Sequence, residues 1–150
     1  MRELVIGDLH FGIKTNSTTW LEQQIDFFKN QIIPASRKRI DRIIFLGDVF
    51  DIRYAINQQV GIEVKKLVRQ LAKEFSGEII FIAGNHDFYS PLEEFIEYNA
   101  YQLIFGDEFI KCYPNVKFIY NIEKIPRGQG DGRYFCPGPV TMLQTAPEIW

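Results

Sequence analysis

The chain has 150 residues, 46% of them hydrophobic, which is the length of one domain with enough apolar mass to bury a core. A formal net charge of −2 excludes a global attraction to nucleic acid, so any such binding has to come from a local basic patch or from bound cations. Two cysteines, Cys112 and Cys136, far apart and outside any CxxC spacing, fit a reducing compartment better than a disulfide framework. With no basic leader ahead of the first apolar run, and no run near the roughly 18 residues of a membrane span, a soluble, cytoplasmic protein is expected.

In chain order, Leu4-Val5-Ile6 reads as a buried strand and runs into Gly7-Asp8-Leu9-His10. After a polar loop from Phe11 to Thr18, Thr19-Trp20-Leu21-Glu22 has capping-box form ahead of a helix carrying Leu21, Ile25, Phe28 and Ile32 at helical spacing. Pro34 is expected to end or kink it. Residues 41–46 form a second strand, followed by Gly47-Asp48-Val49-Phe50-Asp51. From about Asn57 to Phe75 the positions Val60, Val64, Leu67, Val68, Leu71 and Phe75 recur with a helical period, and Ser76-Gly77 closes that helix. A third strand, residues 78–83, leads into Gly84-Asn85-His86-Asp87. Pro91 opens a stretch, residues 92–105, expected to be helical, and residues 115–120 read as one more strand behind the turn Tyr113-Pro114-Asn115. Residues 126–150 hold four of the seven prolines and four of the eleven glycines, so little regular structure is expected there. The division that follows is a domain over residues 1–125 and a Gly/Pro-rich tail over 126–150.

Strands alternating with helices predict an α/β fold with a largely parallel sheet flanked by helices, in which ligands gather beyond the carboxyl ends of the strands. All three acidic motifs lie at those ends. Asp8 and His10, two residues apart in extended backbone, point to one side and can hold a divalent cation together. Asp48 has oxygens enough to bridge two cations, and Asn85 adds a neutral oxygen. Such a mixed set suits manganese, iron or zinc better than calcium. Gly7, Gly47 and Gly84 are expected to let the backbone turn sharply and phosphate approach. Two cations about 3.5–4 Å apart would support in-line phosphoester hydrolysis. His86, with Asp87 as its orienting partner, is the candidate proton donor.

The set Gly7-Asp8-Leu9-His10-Phe11-Gly12, Gly47-Asp48-Val49-Phe50-Asp51-Ile52-Arg53 and Gly84-Asn85-His86-Asp87 resembles the calcineurin-like metallophosphoesterase superfamily. Within it the chain is similar to the SbcD-like DNA double-strand-break repair nucleases, especially the phage-type recombination endonuclease subunit. The likeness covers roughly residues 1–120 and implies the N-terminal half of the family's double-sheet core. By motif it implies Asp8, His10, Asp48 and Asn85 as metal ligands, Asp48 bridging, and His86 as the catalytic histidine. It further implies manganese, DNA ends as substrate, an SbcC-type ATPase partner, a homodimer, and for a phage protein the host cytoplasm. The family pattern continues with a Gly-His strand end and a His-x-His pair, whereas His10 and His86 are the two histidines of this chain. The first metal would keep Asp8, His10 and Asp48, the second only Asp48 and Asn85. Poor second-metal occupancy, weak hydrolysis, an uncovered apolar sheet face and a truncated or split gene product are the corresponding expectations.

Elsewhere, Arg37-Lys38-Arg39 reads first as a solvated face, and Lys14 and Arg53 as candidate contacts to a DNA phosphate. Asp51 reads first as a brace of the Asp48 loop through backbone hydrogen bonds and second as a metal ligand. Phe88 and Tyr89 are candidates for packing or for stacking on a base. Phe95, Tyr98, Tyr101, Leu103 and Phe105 read as core first and as a dimer surface second. Two other functions stay open: a non-catalytic scaffold binding DNA or an ATPase, and a phosphoesterase acting on small phosphate esters.

Overall fold

Four short strands, β1 (Glu3–Ile6), β2 (Arg42–Phe45), β3 (Glu78–Ile82) and β4 (Val116–Ile119), form one parallel sheet in the order β1-β2-β3-β4. The computed structural model describes residues 1–89 and 97–120 in full, and 123–126 and 132–135 by their backbone. Between β1 and β2 lie α1 (Ile13–Asn16), α2 (Thr18–Phe27), a π-helical turn (Phe28–Ile32) and α3 (Ile33–Ser36). Helix α4 (Gln58–Glu74) connects β2 to β3, and α5 (Ala100–Ile104) with α6 (Gly106–Cys112) precedes β4. Because strand order follows chain order, right-handed crossovers put these helices on one face of the sheet.

Strand periodicity then sorts the side chains. Phe45, Phe81 and Phe118 are in register on adjacent strands and face the helices. The Phe45 and Phe81 rings stack at 4.3 Å, those of Phe81 and Phe118 at 5.3 Å, and Leu21, Phe28, Val64, Leu67, Leu71 and Phe109 close over them. On the other face Ile44, Ile80, Ile82 and Ile119 form a second buried cluster. Among the described residues of that face, Val5 on the edge strand and Leu46 are nearly half exposed, which is far less open surface than expected. At the amino ends Arg42 is buried between Glu3 (3.2 Å) and Glu78 (2.7 Å), the residues level with it on the flanking strands.

Several local expectations change. The capping box does not form. Lys14, Thr15 and Asn16 are left-handed (φ 56°, 58° and 60°) and deliver the chain to Ser17, the N-cap, which makes no side-chain cap bond. Pro34 does not end the helix, because the wider π-helical turn before it relieves the clash its ring makes with the carbonyl four residues back. Residues 92–96 of the expected helix, Phe95 among them, lie outside the described residues. Asn99 pairs with Phe88 in an isolated bridge, so helix begins only at Ala100, where the Asn99 side chain accepts from Gln102 N (2.8 Å). Tyr101 and Phe105 are core, whereas Tyr98 and Leu103 are exposed. Strands β5 (Glu123–Pro126) and β6 (Gly132–Phe135) pair antiparallel across the expected boundary at 125/126. Residues 136–150, including Cys136, lie outside the described residues. No described helix is long and apolar enough to cross a membrane.

Candidate metal centre

The loops leaving β1, β2 and β3 converge because their backbones are joined. Leu9 N and His10 N both donate to Asp48 O (3.2 and 2.9 Å), Phe11 N donates to Val49 O (2.8 Å), and Asp51 N donates back to Phe11 O (3.0 Å). His10 and Asp48 are each held left-handed at φ 47°, a strain of order 1–3 kcal/mol apiece that the surrounding bonds sustain. Between the second and third loops the spacing is set by two glycines. Gly47, at φ 106°, lies so close to Gly84 that a Cβ would come within 2.6 Å of its backbone, and a Cβ on Gly84 would overlap Asp48. Gly7 has open space around it and an ordinary φ, so the expectation that it too is needed for a sharp turn is not supported.

His10 Nε2 stands 4.0 Å from Asp8 Oδ2 and 4.0 Å from Asp48 Oδ2. Asp48 Oδ1 accepts from His86 N (2.8 Å). The Asn85 amide fits its neighbours with its nitrogen donating to Asp48 Oδ2 (3.1 Å) and its oxygen accepting from Arg53 Nη2 (2.9 Å). Arg53 thus sits against the site, whereas Lys14 is exposed on the left-handed turn and makes no ion pair among the described residues. The Arg37 side chain of the basic run is tied to Glu74 (2.7 Å).

Two assignments change. Asp87 does not reach the His86 ring. Its buried carboxylate accepts from Gly84 N (2.9 Å), Phe50 N (3.1 Å), Val49 N (3.4 Å) and the Tyr101 hydroxyl (2.9 Å), locking the second and third loops together. Burial pushes its pKa up to about 6, with those four bonds acting in the opposite direction. The phenol of Tyr101, fully buried beside this carboxylate, is pushed well above its ordinary value, chiefly by burial. His86 is oriented instead by Asp51, whose carbonyl oxygen lies 2.6 Å from Nδ1. A carbonyl only accepts, so Nδ1 carries the proton and Nε2 is left for other chemistry. Asp51 also turns its carboxylate to His10, with Oδ1 3.2 Å from Nδ1, which is closer to the centre than the backbone-bracing expectation placed it.

Sequence reasoning missed Gln24. Its Nε2 donates to Leu9 O (2.6 Å) and His10 O (2.9 Å), securing the first loop from helix α2. A polar residue one helical turn from Leu21 was the available signal, but spacing alone does not say which loop it meets. Tyr101 was read as an apolar core residue, and its hydroxyl function was invisible without the partner.

Asp8, His10 and Asp48 offer one donor atom each, all within 4.8 Å of one another, and His10, Asp51 and His86 form a second such group. Ligands stand ~2.0–2.2 Å from a transition-metal ion, so donor atoms this close together could share one. His10 Nδ1 is buried without an aligned hydrogen-bond partner beside the Asp51 carboxylate. A ring ligated through Nε2 and facing a carboxylate through Nδ1 is the usual arrangement of a metal-bound histidine, so the residues present fit a divalent cation.

The family described as calcineurin-like phosphoesterase matches residues 1–146. The chain is 31% identical over 117 residues to "Exonuclease subunit 1" of Enterobacteria phage T4, covering 78% of this chain and 32% of that protein. It is 35% identical over 117 residues to "DNA double-strand break repair protein Mre11" of Sulfurisphaera tokodaii, covering 77% of this chain and 27% of that protein. The chain therefore spans about a third or less of the length of these relatives.

Proposed function

The chain belongs to the calcineurin-like phosphoesterase family, and from that premise we propose that it is the metal-binding part of a DNA nuclease that hydrolyses phosphodiesters with manganese. The observation that carries this reading is the placement of His10 Nε2 4.0 Å from both Asp8 Oδ2 and Asp48 Oδ2, at the carboxyl ends of adjacent parallel strands. Asp8, His10 and Asp48 would hold the first cation, and Asp48 with Asn85 the second. Bound there, a divalent cation supplies charge neutralisation for phosphate oxygens and activation of water. His86 keeps its Nδ1 proton on Asp51 O and exchanges a proton with phosphate or leaving oxygen through Nε2. Arg53 holds Asn85 and reaches toward the substrate phosphate, with Lys14 as an outer contact. DNA as substrate is supported by the names of the two relatives, an exonuclease subunit and a DNA double-strand break repair protein; DNA ends, a homodimer, an SbcC-type ATPase partner and a cytoplasmic setting belong to the same proposal on the motif resemblance. Residues 1–125 would form the nuclease portion, with 126–150 as an appendage.

A second reading, a non-catalytic subunit, is favoured by the thin second site, where the Asn85 amide is already bonded to both Asp48 and Arg53. Manganese titration by calorimetry together with digestion of linear duplex DNA tests the two. Metal uptake with hydrolysis that disappears in His86→Ala supports the nuclease. Uptake without hydrolysis supports the scaffold, and turnover of a small phosphodiester with no DNA preference would point to a small-substrate phosphoesterase.

A further inference from the structure

Next to the candidate metal centre the chain forms a second concavity, of about 330 Å³, which the motifs do not mention. It lies between the segment after Asp51 and helix α5, and its walls include Arg53, Tyr54, Tyr89, Tyr98, Asn99 and Gln102. Its volume is at the low end of the usual ~300–1,000 Å³ for small-ligand clefts, with room for a single ring system and its sugar. The Tyr54 and Tyr89 rings meet edge to face at 5.7 Å and 84°, forming a two-walled corner into which a flat ring fits against one face and one edge. Tyr54 is 72% exposed, a large aromatic surface to leave in water. Arg53 joins this corner to the metal centre, since the residue that lines the concavity also bonds Asn85.

We propose that this aromatic corner is a nucleobase subsite, which holds an unpaired base of the nucleic-acid strand while Arg53 takes the adjoining phosphate. The inference rests on the phosphodiesterase reading of the neighbouring centre and assigns it a substrate with unpaired nucleotides. The chemistry is specific to a base joined to a phosphate. Stacking needs a flat π-face, the guanidinium needs an anion one step away, and the Gln102 amide at the wall can bond a base edge. A base within a paired duplex presents no free face, so the subsite prefers frayed or single-stranded ends to blunt paired ones.

The test is binding without metal, in EDTA, of the full chain to a fluorescent single-stranded DNA decamer and to the same backbone carrying abasic sites. The expected result is about tenfold tighter binding of the base-bearing strand, a gap removed in Tyr54→Ala and retained in Tyr54→Trp. Equal affinity for the two strands overturns the proposal, as does a gap that survives Tyr54→Ala. Tyr54 is mostly exposed, so its loss leaves the fold intact, which a thermal melt verifies. Two further arms, an RNA decamer of the same sequence and a 5′-mononucleotide, show whether the base comes from DNA, from RNA or from a free nucleotide, and a Tyr54-dependent gain in any of them supports the subsite. Asp48→Asn separates this inference from the one beneath it. If manganese uptake and hydrolysis are absent from the wild-type chain while base-dependent binding persists in both proteins, the nuclease reading fails and the subsite stands. If the wild type hydrolyses DNA with no preference for unpaired bases, the subsite fails and the nuclease reading stands.

Discussion

Replacing Asp87 by Ala removes one carboxylate and leaves four donors facing a hole: Gly84 N, Phe50 N, Val49 N and the Tyr101 hydroxyl. A buried donor without a partner costs about 1–3 kcal/mol, but the 3.4 Å bond to Val49 N is weak and water entering the hole recovers part of the loss. Against this, the wild type bears the cost of burying the ionised carboxylate. The rise in its pKa from the ordinary 3.8 to about 6 corresponds to roughly 3 kcal/mol at neutral pH. The net expectation is a loss of about 3 kcal/mol for Asp87→Ala, and about 2 kcal/mol for Asp87→Asn, whose amide nitrogen faces N–H groups. The sign with pH follows from the raised value. Between about pH 4 and pH 6 the native carboxyl holds a proton that the unfolded one releases, so wild-type stability is full below that window and falls as pH rises through it. Asp87→Asn lacks this dependence, so its penalty is larger at about pH 4 than at pH 7. Urea unfolding in EDTA across that range measures both quantities. A penalty below about 1 kcal/mol refutes the bracing role. A penalty that is flat or shrinks on acidification refutes burial as the dominant influence on this carboxyl.

Gly84→Ala should lower both stability and manganese affinity because its Cβ meets Asp48, while Gly7→Ala should change neither by more than about 0.5 kcal/mol; melts with and without metal compare them. Arg42→Ala removes two ion pairs at once, the buried one to Glu3 and the partly exposed one to Glu78, and should cost about 2–3 kcal/mol in urea unfolding, while manganese uptake at the opposite end of the sheet stays unchanged. Thr15→Gly relieves a left-handed β-branched residue at φ 58° and should stabilise by about 0.5–1 kcal/mol after the entropy cost of glycine, read as a rise in Tm.

The strands and the long helix were legible because burial writes itself into residue order. The run Ile43-Ile44-Phe45 is apolar throughout because a parallel strand is covered on both faces, and Val60 to Leu71 repeats at the helical period because one stripe meets the sheet. The metal-site candidates were legible for a related reason: a glycine and an acidic residue directly after an apolar run place a carboxylate at a strand's carboxyl end. The family followed from three such ends in order. The capping box and Asp87 were misread where two local solutions have the same spelling. Thr19-Trp20-Leu21-Glu22 caps a helix only if the chain arrives from the right direction, and three left-handed residues bring it in one turn earlier. Asp87 follows His86 in sequence, but alternation and the turn aim the two side chains apart, one to the core and one to the Asp51 carbonyl.

By itself the sequence determined the α/β class, the strand–helix alternation and the presence of Asp8, His10, Asp48, Asn85 and His86 at three strand ends, since each of these depends on neighbours within a few positions. Tertiary structure alone decided that the strands lie in the order of the chain, with the helices on one face and a smaller isoleucine cluster on the other. It decided that Gln24, Asp51 and Asp87 position the loops, that Arg53 meets Asn85, and that Tyr54 and Tyr89 make a corner beside them. Each of those contacts joins residues from different loops or helices. Hydrogen bonds and ring contacts of that kind are short-ranged in space and leave no periodic trace along the chain, so they become visible only when the sheet brings its loops to one end.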